Sequence, residues 1–151
     1  MATTATKDAE VATVLSERWT AAAKKFTELA AALPDPQLES ELVSGARPCG
    51  GVLRHVAYWN RYVADSLNGK KADDSANELR REEYPGKAQV LNELGNSSRE
   101  ITGAASRKLD ARSMELIGMA LEHLSEHYGQ LVVYARLMGV IPPVSRPQER
   151  G

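Results

Sequence analysis

His123 and His127 stand four residues apart in the stretch LEHLSEHYGQL. On a helix that spacing puts both imidazoles on one face, about 6 Å apart along the axis, where both can reach one ion. The third histidine of the chain, His55, lies in VLRHVAYWNRYV. Three neutral imidazoles on one side of a divalent ion leave coordination positions for water. The ordinary alternatives stand beside this reading. A His-x-x-x-His pair alone on a helix is most often two surface or half-buried residues, and His55, between Leu53 and Val56, suits a partly buried histidine whose ring nitrogens meet backbone or hydroxyl groups. The metal reading further requires that the two histidine-bearing segments be neighbours.

Few other groups near these positions could do chemistry. Glu122 and Glu126 each sit about 100° around the helix from a histidine, so both belong to a solvated face and are poor candidates for a general base. The zinc-protease pattern His-Glu-x-x-His is absent, because Leu-Ser-Glu fills the gap. Gln130, three residues after His127, can hydrogen-bond a ligand or a metal-bound water, or equally a neighbouring helix. Tyr58 and Trp59, one turn beyond His55, can wall a substrate pocket, although core packing is the commoner role of aromatics on an apolar helix. Cys49 would have a lowered thiol pKa if it faced a helix N-terminus, but no nucleophile signature surrounds it and it reads better as a small half-buried residue. As the single cysteine it excludes an intrachain disulfide and a cysteine-built metal cage.

The elements that must position these residues are helices. Val11, Val14, Leu15, Ala22, Phe26, Leu29 and Leu33 recur at threes and fours, predicting a first helix over 7–33 that Pro34-Asp-Pro36 stops. Residues 37–46 read as a connector across one end of the core, with a single helical turn at most. Pro48 opens a second helix whose apolar period runs from Val52 to Leu67 and stops at Asn68-Gly69. The polar stretch 70–86 is the longest connection, long enough to let the next helix lie elsewhere than antiparallel beside the second. A third helix is expected over 90–109, weakened by Gly95 and Gly103. A fourth, N-capped by Ser113, runs through Leu116, Leu124, His127, Leu131 and Met138 to Gly139. The tail VSRPQERG is expected to be ordered only where it packs back. With no strand signal, the fold class is all-α, a four-helix bundle in a single domain.

Composition narrows the function. The 151 residues carry 19 Lys and Arg against 20 Asp and Glu, a net charge of −1, so no field draws a phosphate backbone and nucleic acid is excluded as a first partner. The opening MATTATKDAE has no apolar signal core, and no run approaches the roughly 20 apolar residues of a membrane span. The expectation is a soluble, cytoplasmic protein, in keeping with its lone cysteine.

The segment GGVLRHVAYWNRYV, followed after a long gap by EHLSEHYGQLVVYARLMGVIPP, resembles the DinB/YfiT-like superfamily of four-helix bundles. The likeness spans most of the chain and is most specific where His-x-x-x-His-Tyr-Gly-Gln-Leu runs into Gly139-Val-Ile-Pro-Pro. It implies an up-down-down-up bundle in which His55, His123 and His127 bind a divalent metal ion (zinc, nickel or iron) at one end. It also implies a homodimer, as in many members. Arg47 and Pro48 replace the tryptophan and serine that often open helix two, and Gly51 replaces an acidic or polar residue, which alters the local pocket. The activities that the resemblance implies are transfer of a low-molecular-weight thiol to a small-molecule substrate, isomerisation with a thiol cofactor, or metal-dependent hydrolysis. The competing reading is a non-catalytic dimeric bundle with a structural or sequestered metal and a stress-related or binding role. Either way metal affinity is expected to fall as pH drops through the histidine range near ~6.5.

Overall fold

The computed structural model describes residues 3–107 and 109–148. Four helices carry the fold: α1 over Thr4–Ala32, α2 over Cys49–Leu67, α3 over Lys87–Ala105 and α4 over Ala111–Leu137. Short 3-10 turns follow α1 at Asp35–Gln37 and α4 at Pro143–Ser145. Among the described residues there is no strand, and no helix is long and apolar enough to cross a membrane.

Each helix ends where local chemistry demands it. Leu33 leaves the helical region at ψ 138° because the following proline disfavours a helical predecessor. Gly69 and Gly139 take the left-handed conformation, φ 68° and 76°, just past the ends of α2 and α4. The start of α4 differs from expectation. Asp110, rather than Ser113, is the N-cap, and its carboxylate accepts the Ser113 amide at 2.8 Å. A carboxylate satisfies an orphan amide there and also favours the positive end of the helix dipole.

The core is built from Trp19, Phe26 and Leu29 of α1, Leu53 and Val56 of α2, Ile101 of α3 and Ile117, Leu124 and Leu131 of α4, all buried. The α1 stripe is corrected at its beginning: Val11 and Val14 are exposed, while Ala12, Trp19, Ala23 and Ala30 carry the buried line. At 100° per residue Val14 lies about 160° around the helix from Ala12. The first turns of this 29-residue helix are also mostly exposed, so a periodic apolar pattern there meets no partner. The third helix stops four residues short of Leu109, which is buried in the turn before α4.

The helices pack in a ring, α2 against α3 and α4 and α1 likewise against α3 and α4, so that chain neighbours α1 and α2 sit diagonally. Cross-links give relative directions. Trp19 Nε1 donates to the Ser98 carbonyl and Lys87 Nζ to that of Leu33, so α1 and α3 run antiparallel. Arg61 reaches Glu93 and Glu100, and Arg107 reaches Asn68, so α2 and α3 run in the same direction. The long 70–86 connection makes this parallel pairing feasible. The expected connector crosses the end of the core at Leu38, whose carbonyl accepts the Gly50 amide at 2.7 Å. The last turn, Pro143–Ser145, packs back on α1; residues 149–151 of the tail lie outside the described part.

Candidate metal centre

The adjacency of α2 and α4, which sequence could not decide, brings the three histidines together. One ring nitrogen from each of His55, His123 and His127 lies within 4.8 Å of the other two, forming a group that could hold a metal ion. Their rings meet edge to face with centroids 4.6 to 4.8 Å apart. His55 is buried, and the other two are partly buried.

Hydrogen bonds on the outer edges decide which nitrogens face inward. His55 Nδ1–H donates to the Asn77 carbonyl at 2.6 Å, and His127 Nδ1–H donates to Gln130 Oε1 at 2.8 Å. In a neutral imidazole the other nitrogen, Nε2, then carries the lone pair. The Nε2 atoms of His55 and His123 are 2.9 Å apart. Two nitrogens held about 2.0–2.1 Å from one ion at roughly a right angle have this separation. Three neutral imidazoles with no thiolate or carboxylate form a donor set suited to zinc, nickel or iron. The residues fit an ion.

Burial keeps the His55 and His123 rings neutral. Burial pushes His123 down to about 4, helped by the neighbouring His127 and His55 and by the Arg47 cation. Burial likewise lowers His55, against the opposing effect of its bond to Asn77. Both are therefore unprotonated at neutral pH, the form that binds metal.

The support of His55 comes from a place sequence reasoning missed, the polar 70–86 connection. Asn77 accepts the His55 ring proton with its backbone oxygen and the Trp59 Nε1 proton with its Oδ1, at 2.8 Å. The next residue, Glu78, accepts from Arg54 Nε at 3.0 Å, and the Leu79 amide donates to the Arg54 carbonyl. Arg54 is only 3% exposed and also makes a two-pronged pair with Glu39 at 2.7 and 3.2 Å. Its charge is thus neutralised on both sides, the condition for burying a guanidinium. Glu39 can approach because residue 50 is glycine; a Cβ there would run into its carboxylate. The chain's one visible signal for this network was the charge of residues 78–83.

The remaining candidates divide. Gln130 bonds His127 on its own helix and donates from Nε2 to the Tyr134 hydroxyl at 3.1 Å, rather than to a neighbouring helix. Trp59 lines a cavity of about 340 Å³ that opens beside the three histidines. Tyr58 does not. One residue further back around α2, it faces the connection, where its hydroxyl donates to the Asp73 carbonyl and accepts the Ala76 amide. Glu122 and Glu126 are exposed and off the cavity wall. Cys49 is fully buried, and desolvation with the nearby Glu39 charge pushes its thiol up to about 11, which overrides any helix N-terminal effect. Asn60, in the middle of α2, was not singled out by sequence reasoning; it is buried on the cavity wall, a polar residue on an apolar face.

No curated protein is similar to this chain at a significant level. The family model of the DinB superfamily matches residues 18–131, a stretch that holds all three histidines and most of the four helices. The chain belongs to the DinB superfamily.

Proposed function

We propose that this protein is a divalent-metal-dependent enzyme that transfers a low-molecular-weight thiol to a small electrophile, with the ion held by His55, His123 and His127. The observation that carries the reading is the position of the three imidazoles on the wall of an open cavity instead of within the closed core. A site of this kind keeps one side free for a reactant. A divalent ion bound there supplies the Lewis acidity that lowers the pKa of a thiol or water.

The chain's own residues do the rest. Asn77 and Gln130 hold His55 and His127 in the tautomer that presents Nε2, and most of the wall beside them is apolar. Thiol transfer is favoured over hydrolysis by what the wall contains. Hydrolysis calls for a general base within hydrogen-bond reach of the water, and no Asp, Glu or Lys lines the cavity. Thiol transfer forms one sulfur–carbon bond as the bond to the leaving group breaks, with the thiol proton leaving to solvent. It asks for no further base once the thiol is ionised.

The test is turnover by metal-loaded protein of bacillithiol, mycothiol or glutathione with a chromogenic aryl halide, beside ester and phosphoester substrates. Thiol-dependent release of halide, lost in His123→Ala, is the expected result. Metal bound with no turnover of any substrate overturns the enzymatic reading in favour of a non-catalytic metal-binding bundle.

A further inference from the structure

The cavity beside the histidines is walled by two helices. Trp59, Tyr62 and Val63 of α2 line it together with Leu116, Met119 and Ala120 of α4. On α2 the lining runs forward from His55 to Val63, about 12 Å along the axis, and on α4 it runs back from His123 to Leu116, about 10 Å. The cavity is therefore a slot with the three imidazoles at one end and Val63 and Leu116, 6% and 7% exposed, at the other. Its volume of about 340 Å³ is near the small end of ligand sites, with room for one ring and its substituents.

The α2 side of the slot is aromatic and held in place. Trp59 Nε1 donates to Asn77 Oδ1 at 2.8 Å, and its ring meets those of Tyr58 and Tyr62 edge to face, with centroids 5.3 and 5.4 Å apart. A ring fixed at its polar end and against two neighbours offers a preformed face to a planar or branched apolar body. No Asp, Glu, Lys or Arg lines the slot, so the histidine end is the one place on its wall where a ligand's negative charge meets a partner. A divalent ion held there by neutral imidazoles keeps its full charge and stabilises an oxygen donor. The same donor at the Val63 and Leu116 end would lose its hydration with no counter-charge.

We infer that the slot seats the electrophile of the proposed reaction, a compact molecule with an aromatic or branched aliphatic body and one oxygen donor, carbonyl or carboxylate, at the histidine end, and that it rejects a second charge at the far end. The inference deepens the proposed function by naming the class of the electrophile. It rests on that reading for the ion and the donor, while the apolar body rests on the wall alone. The thiol reaches the ion from the open side.

The test compares toluene, p-toluate and terephthalate on the purified full-length protein, first free of metal and then loaded with zinc. Binding is followed in NMR by the Met119 methyl and the Trp59 indole signals, with the core residue Trp19 as the internal control. Without zinc, toluene should shift the Trp59 and Met119 signals but not that of Trp19, and p-toluate should bind about tenfold more weakly, as expected for a charge without a partner. With zinc the order reverses: p-toluate becomes the tightest of the three, and terephthalate, which differs only at the far end, binds about tenfold more weakly than p-toluate. Met119→Lys, at a position 55% exposed where the fold tolerates a charge, puts a cation on the wall and should narrow that gap to about threefold or less. Terephthalate bound to zinc-loaded wild type as tightly as p-toluate, toluene that leaves the Trp59 signal unmoved, or a gap unchanged in Met119→Lys would each overturn the inference. Zinc uptake without toluene binding removes this inference and leaves the metal reading intact. Toluene binding at Trp59 in protein that takes up no zinc overturns the metal reading, and with it the donor end of the ligand, but keeps the apolar body.

Discussion

Replacing Gln130 with leucine removes the acceptor that holds the His127 ring proton on Nδ1, at 2.8 Å, while keeping a side chain of similar size. Freed of that bond, a neutral imidazole divides between two tautomers, only one of which offers Nε2, which costs about a factor of two in binding-competent protein. Free rotation of the ring costs about another factor of two to three, and loss of the polarising acceptor lowers ligand basicity. Together these predict zinc affinity about tenfold weaker, ~1.4 kcal/mol, at the lower edge of the 10–100-fold range for such supporting residues. Gln130→Glu, which offers a charged acceptor, should bind at least as tightly as wild type. Tyr134→Phe, which touches only the far end of the amide, should change affinity by less than about twofold. The assay is competition for zinc against a chromogenic chelator at pH 7.5, with circular dichroism confirming that each variant is folded. A Gln130→Leu protein that binds zinc within twofold of wild type would show that the bond has no part in presenting Nε2.

Other consequences can be measured with stability assays. Arg54→Met leaves Glu39 and Glu78 facing a half-buried space without their cation and should cost about 3 kcal/mol or more in urea denaturation; a loss under 1 kcal/mol would mean that the network does not hold the connection to α2. Because His123 is lowered to about 4, the unfolded chain takes up its proton first as pH falls. Stability of the metal-free protein is therefore full above about pH 6.5 and declines between there and pH 4, by about 1–2 kcal/mol after allowing for solvent screening of a partly exposed ring. A flat profile over that window in denaturation curves would contradict the placement of His123. Cys49, buried with its thiol raised to about 11, should resist a disulfide reagent at pH 8 in the native state and react at once in urea, and rapid native labelling would contradict its burial.

Much of this architecture can be read from sequence because the signals are local. Pro34, Gly69 and Gly139 stop helices for reasons contained in one or two residues, and the apolar period of α2 and α4 persists through their length. Family motifs around His55 and His123-x-x-x-His127 add the three histidines as candidate ligands. What local signals do not carry is where a periodic stripe finds a partner. Val11 and Val14 continue the pattern of α1 at a level where their side chains stay exposed, and Leu109 extends that of α3 beyond its last helical turn. Nor do they carry support that comes from backbone. Asn77 orients His55 through a carbonyl that any residue possesses, so no residue type in the 70–86 connection announced it. Asn60 was hidden for the opposite reason: a lone polar residue in an apolar run is noticed only once its burial and its missing partner are known.

The central claim is that three histidines from two helices form one metal site. Elemental analysis of protein purified without a histidine tag, comparing wild type with His55→Ala and His127→Ala, tests it most directly, because the two substitutions lie on different helices. Wild type should carry near one equivalent of zinc, nickel or iron, and both variants should lose it. Wild type that stays free of metal after incubation with all three ions at neutral pH, or a variant that retains a full equivalent, would contradict it.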